Sequence, residues 1–177
     1  MRRSCFLRLI PAILFLLAPA LAERRHDPLN SAEVDQLREA TLEPDKRLKL
    51  LVTFARARLA SLEQARSDPK TTDRGQVTHE WLTDFLDIYD ELNDNIDMYS
   101  GRKEDMRKTL PVIIEADGEF QAKLRALKDA AGVSRTEAKT YEFILTTALE
   151  TLDGSVEDHR QLLQEQIQIF KEKKNKK

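Results

Sequence analysis

Apolar residues recur at alternating steps of four and three in every long segment of this chain, and no convincing run of strict alternation appears. Steps of three and four return side chains to one side of a helix, whereas a half-buried strand needs steps of two. The pattern therefore predicts an all-α fold. In the second predicted helix the series is Leu48, Val52, Ala55, Leu59 and Leu62; in the third it is Trp81, Phe85, Ile88, Leu92 and Tyr99, widened by Leu82, Leu86 and Tyr89. The last helix carries Tyr141, Leu145, Ala148, Leu152, Val156, His159, Leu163, Ile167 and Phe170 on its apolar face.

Turn and cap residues divide the pattern into elements. Asn30 with Glu33 has capping-box spacing and predicts a short helix over about 31–40, and Pro44 suits the first turn of a helix that runs to about Arg66. The run SDPKTTDRG, 67–75, reads as a loop; a third helix follows from about Gln76 to Ser100, with Gly101 as its C-terminal cap. From Lys103 to Ala131 a fourth helical region contains Pro111 and Asp117-Gly118, so it is expected to kink or split, and Gly132 ends it. Ser134 and Glu137 form a second capping box that opens a final helix reaching about Lys171. Short loops favour antiparallel neighbours, and the expected architecture is an antiparallel up-and-down bundle of four main helices with a short N-terminal helix.

The first 22 residues are of a different kind. Arg2, Arg3 and Arg8 lead into an apolar run from Leu9 to Leu21 that closes on Ala20-Leu21-Ala22, the layout of a secretory signal peptide cleaved after Ala22. The run is too short to span a bilayer and is interrupted by Pro11 and Pro19. Cys5 lies at the start of the segment, not just after the apolar run, so it is not placed as a lipoprotein cysteine. The expected organisation is a signal peptide over 1–22 and one helical domain over 23–177, with an arm and short helix at 23–43 and a Lys-rich tail at 171–177. An exported, periplasmic or extracellular chain with no transmembrane anchor after cleavage follows.

Cleavage removes Cys5, the only cysteine, and with it any disulfide, thiolate ligand or Cys nucleophile. Three of the 29 basic residues lie in the leader, so 26 face 31 acids in 23–177, a net charge of −5. That mild acidic excess argues against nucleic-acid binding.

The third helix raises the sharpest question of function. Glu80, Asp84, Asp87, Glu91 and Asp94 repeat at steps of four and three and form a ridge beside the apolar face. The expected role is a solvated face; the competing role, with Asp84, Asp87, Glu91 and Asp94 as ligands, is a divalent-cation site or a docking surface for a basic partner. A buried carboxylate metal site in a helical bundle would need acids pointing inward with Glu-x-x-His pairs opposite. No Glu-x-x-His occurs within the predicted helices, and Asp90, Asn93, Asp94 and Asn95 lack the spacing of an EF-hand loop. The second helix bears Lys46, Arg47, Lys49, Arg56, Arg58 and Arg66, so part of the acidic charge answers a neighbour.

His159, inside the last helix's apolar face, is expected to be a packed or hydrogen-bonded core residue; the alternative is a ligand to a metal or to haem iron, with Met98 or Met106 opposite. Asp117 would face the core and pair with His159 if the fourth helix were continuous, but Asp-Gly is a turn dipeptide and a turn is expected. The tail KEKKNKK is expected to be a solvated helix end, with attraction to anionic lipid as the competing role. There is no nucleophile elbow, phosphate-binding glycine loop or zinc spacing. Together these features point to a non-catalytic interaction or scaffold protein without a cofactor, whose partner is a protein or a cell-envelope component. The alternative is a metal- or haem-binding four-helix bundle.

Overall fold

A computed structural model describes residues 27–130 and 133–175. The expected leader with its expected cleavage point at Ala22, together with Cys5, Gly132 and the last two lysines, lies outside these residues. The described residues form five helices and no strand: α1 (Ser31–Glu39), α2 (Pro44–Ser67), α3 (Arg74–Gly101), α4 (Leu110–Lys128) and α5 (Arg135–Asn175). None of these helices is long and apolar enough to cross a membrane.

Local chemistry sets the helix ends. Asn30 Oδ1 accepts from the Glu33 N–H at 3.0 Å and Glu33 Oε2 accepts from the Asn30 N–H at 2.9 Å, closing the capping box of α1. Pro44 occupies the first turn of α2. At the start of α5, Ser134 Oγ accepts from the Glu137 N–H at 3.1 Å, while the Glu137 carboxylate reaches Arg66 of α2 at 3.0 Å.

Several expectations about the helix ends differ. Pro111 does not kink a longer helix: α4 begins at Leu110, so Pro111 sits in its first turn, where a missing N–H costs nothing, and residues 102–109 form a separate connection. Asp117-Gly118 is not a turn but lies inside α4, which continues to Lys128. Gly101 is not the left-handed cap of α3. It closes the last helical turn, and the left-handed residue is Lys103 at φ 62°. The Lys103 N–H bonds Ser100 O at 2.9 Å and the Glu104 N–H bonds Tyr99 O at 3.0 Å, the paired bonds of a Schellman ending with lysine where glycine is usual. α3 also begins two residues earlier than expected, capped by Asp73, and α5 runs on to Asn175.

Packing contacts give the helix directions. α2 and α3 are antiparallel, since Arg47 bonds Glu91 at one end and Arg66 bonds Thr78 at the other. α4 and α5 are antiparallel through Asp117–His159 and Gln121–Asp153. α3 and α5 run parallel, with Asn93 bonded to Ser155, and they approach so closely at Gly75 that a Cβ there would stand 3.0 Å from Thr140 Oγ1. α3 packs on α2 and α5, and α4 packs on α5 and α2. α3 and α4, consecutive in sequence, therefore face each other across the core, not side by side. Large side chains fill that diagonal: Phe85 and Tyr89 of α3 meet Phe120 of α4 edge-on, with ring centroids 5.4 and 6.2 Å apart. Each fully buried ring of this kind contributes about 1.5–3 kcal/mol by removal from water.

Candidate functional site

Asp117, carried inward by the continuous α4, brings three helices together. Its Oδ1 accepts from the Tyr89 hydroxyl of α3 at 2.8 Å, and its Oδ2 lies 2.8 Å from His159 Nδ1 of α5. All three side chains are buried. A carboxylate that accepts from a phenol and from an imidazole N–H has both oxygens satisfied, which is the condition for placing it in an apolar core. The Tyr89 hydroxyl is held strongly in its protonated form, first by burial and then by the charge and hydrogen bond of Asp117, against a smaller opposing effect from Ser155. The arrangement is closed to solvent, and Tyr89 is a donor here and not a nucleophile.

The acidic ridge is not uniform. Glu80, Asp87 and Asp94 are exposed; Glu91 is half-buried and bonded to Arg47 at 2.7 Å; Asp84 is buried, contrary to its placement on a solvated face. α3 is covered on two sides, by α2 and α5, so its buried arc is wider than its apolar residues alone indicate and takes in Asp84 and Asn95. The outer row is instead Asp87, Asp90, Asp94 and Asp97. Partial burial, then the charges of Asp87 and Asp94, raise the Asp90 carboxyl above its ordinary value. No group of three or more His, Cys, Asp or Glu residues able to hold a metal ion occurs among the described residues.

Asp84 and Asp87 also border an open cleft of about 1120 Å³ with Asp27, Pro28, His79, Glu80, Trp81 and Thr83. Trp81, expected to carry core weight, is only half-buried on this wall. The Nδ1 of His79 is buried and has no hydrogen-bond partner among the described residues. Of the two methionines weighed as haem ligands, Met98 is exposed, while Met106 is buried in the α3–α4 connection with its N–H on Gln166.

Sequence reasoning assigned the α2 cations to an acidic neighbour; the structure distributes them. Arg47 binds α3 through Glu91, Arg56 binds α4 through Glu119, Arg66 binds α5 through Glu137, and Arg58 binds α1 through Glu33. α2 thus makes an ion pair with every other helix. The Arg58–Glu33 pair is the most buried, and Arg58 also donates to Pro28 O at 3.1 Å. Burial pushes the Glu33 carboxyl up, but bonds from Arg58 and the Asn30 backbone, with the guanidinium charge, bring it below its ordinary value. The sequence signal was the Glu of the capping box itself: its Oε2 takes the Asn30 N–H and one Arg58 nitrogen, and its Oε1 takes the other. Comparison with protein-family models, with curated proteins and with solved structures finds no match.

Proposed function

We propose that this chain is an exported, non-catalytic helical-bundle protein that acts through contacts with a protein or cell-envelope component. The observation that carries this reading is the closure of the Tyr89–Asp117–His159 cluster: the Tyr89 hydroxyl, both Asp117 oxygens and His159 Nδ1 are spent on one another inside the core. An active site would need at least one such group within reach of a substrate. In this reading residues 1–22 direct export, and α2–α5 form the four-helix bundle that displays the outer surfaces.

One observation favours the second reading, a metal- or haem-binding bundle. A histidine whose Nδ1 is held by a carboxylate presents Nε2 in the orientation used by metal-bound histidines. Purification from the native host separates the two readings. N-terminal sequencing beginning at Glu23, a featureless visible spectrum, no stoichiometric metal and a co-purifying partner support the first; a Soret band or bound metal lost in His159→Ala supports the second.

A further inference from the structure

The cleft beside Trp81 carries one sign of charge. Asp27, Glu80, Asp84 and Asp87 line it, and no lysine or arginine among the described residues does. Four carboxylates around one concavity repel one another and draw in a cation. Trp81 adds a half-buried indole to the same wall, and the face of an indole attracts a guanidinium. The buried Nδ1 of His79 is a further polar atom there with no partner among the described residues.

The chain itself leads into this cleft. Leu29 packs against the core, Arg58 donates to Pro28 O at 3.1 Å, and the Leu29 N–H donates to Asp27 Oδ1 at 3.0 Å. The backbone is thus pinned where Asp27 joins the wall. The four residues before it are Glu23, Arg24, Arg25 and His26. Four extended residues reach about 13 Å, and Glu80 to Asp87 spans about 10 Å along α3. A segment fixed at Asp27 is therefore long enough to follow the acidic wall from one end to the other. Neither Asp84 nor Asp87 is left unpartnered by the chain, which favours an occupant from the chain itself over a foreign ligand.

We propose that the cleft is the seat of the chain's own residues 23–26, with Arg24 and Arg25 set against its carboxylates and against Trp81. The segment acts as a strap that covers the acidic wall of α3 and withholds it from basic segments of other proteins. This contact is internal, goes beyond the partner reading above and does not rest on it. Arg24 and Arg25 follow Ala22, so they are present whether or not the chain is cut there.

Quenching of Trp81 fluorescence tests this, because Trp81 is the single tryptophan of the chain. The host-purified protein is compared with its Arg24→Gln, Arg25→Gln double variant. Uncovering the wall should raise the quenching constant of neutral acrylamide about twofold. The constant for caesium should rise more, at least about threefold, because the bared carboxylates concentrate cations around the ring. Glu80→Gln with Asp87→Asn, both exposed positions, should raise the acrylamide constant by the same factor. Combining the four substitutions should add nothing further, since either pair alone breaks the same contact. Arg102→Gln with Lys103→Gln makes the same charge change at the other end of α3, about 30 Å from Trp81. That control should leave both constants within about 1.2-fold, the distance being some three Debye lengths. Circular dichroism verifies that each variant is folded.

Equal quenching in the protein and the Arg24→Gln, Arg25→Gln variant overturns the proposal, as do additive effects of the two pairs or an equal rise in the control. Protection of Trp81 that grows with protein concentration assigns the segment to the cleft of a second copy. Protection lost on removal of a co-purifying protein assigns the cleft to that partner. Either result also overturns the proposal, and the non-catalytic reading stands apart from all of them.

Discussion

The inner and outer faces of α3 both carry oxygen-rich side chains, and they put them to opposite uses. On the inner face Tyr89 meets Asp117, whose other oxygen meets His159, so a carboxylate stands in the core with a partner on each oxygen. On the outer face Asp87, Asp90 and Asp94 stand beside one another in water, and their principal effect on each other is repulsion. Spacing along the helix is the same on both faces. What differs is the neighbouring helix: α4 and α5 bring a partner to the inner face, and nothing among the described residues lies over most of the outer one. A carboxylate's contribution is decided by its burial and donors, not by the local density of acids.

Several substitutions test this contrast, and the largest effects belong inside. Phe85→Ala opens the diagonal core between α3 and α4 and should cost about 3–5 kcal/mol in denaturant unfolding. Asp117→Ala should cost a comparable 3–5 kcal/mol, about, because the Tyr89 hydroxyl and the His159 N–H lose their shared acceptor. Tyr89→Phe removes a donor but leaves the His159 bond intact and should cost only about 1–2 kcal/mol. If Asp117→Ala were as mild as a surface change, the distinction between the two faces would collapse.

Acid titration compares two carboxylates of opposite sign. The Glu33 carboxyl lies below its ordinary value of 4.5 in the folded chain, so the stability it lends is present above 4.5 and is lost as pH falls through the lower folded value. Asp90 is raised above 3.8, so its contribution is greatest below 3.8 and is lost as pH rises through the folded value. Glu33→Gln should therefore lower stability at neutral pH by about 1–3 kcal/mol and flatten its fall in acid. Asp90→Asn should shift the acid profile the other way, by less, because that side chain is exposed. Stability measured by urea unfolding across the acidic range reads both.

Lys103→Gly should raise stability by about 1 kcal/mol, since the left-handed conformation that closes α3 is strained for lysine and free for glycine. The smallest effects belong to the outer row: Asp87→Asn and Asp94→Asn should each change stability by about 0.5 kcal/mol or less. A calorimetric affinity for Ca²⁺ or a transition metal that disappears in those two variants would make the outer face a site and reverse the comparison.

Much of this was legible in the residues. The steps of three and four were enough for an all-α chain with helices near their observed places, because amphipathic period and cap chemistry are local properties that each segment carries alone. The Asn30–Glu33 box and the apolar series through Phe85, Ile88 and Leu92 needed no partner to be recognised. Asp117 did need one. As an Asp-Gly dipeptide its local preference is a turn; inside α4 that preference is overridden because Tyr89 and His159, 28 and 42 residues away, supply the donors that make burial affordable. Asp84 was misplaced for a related reason: periodicity locates the centre of a buried arc, but its width depends on how many helices cover it. The division of the α2 arginines among four helices and the face-to-face placement of α3 and α4 likewise depend on which elements become neighbours. Period and caps are written in short stretches of chain; partners distant in sequence are chosen only when the whole set of helices packs.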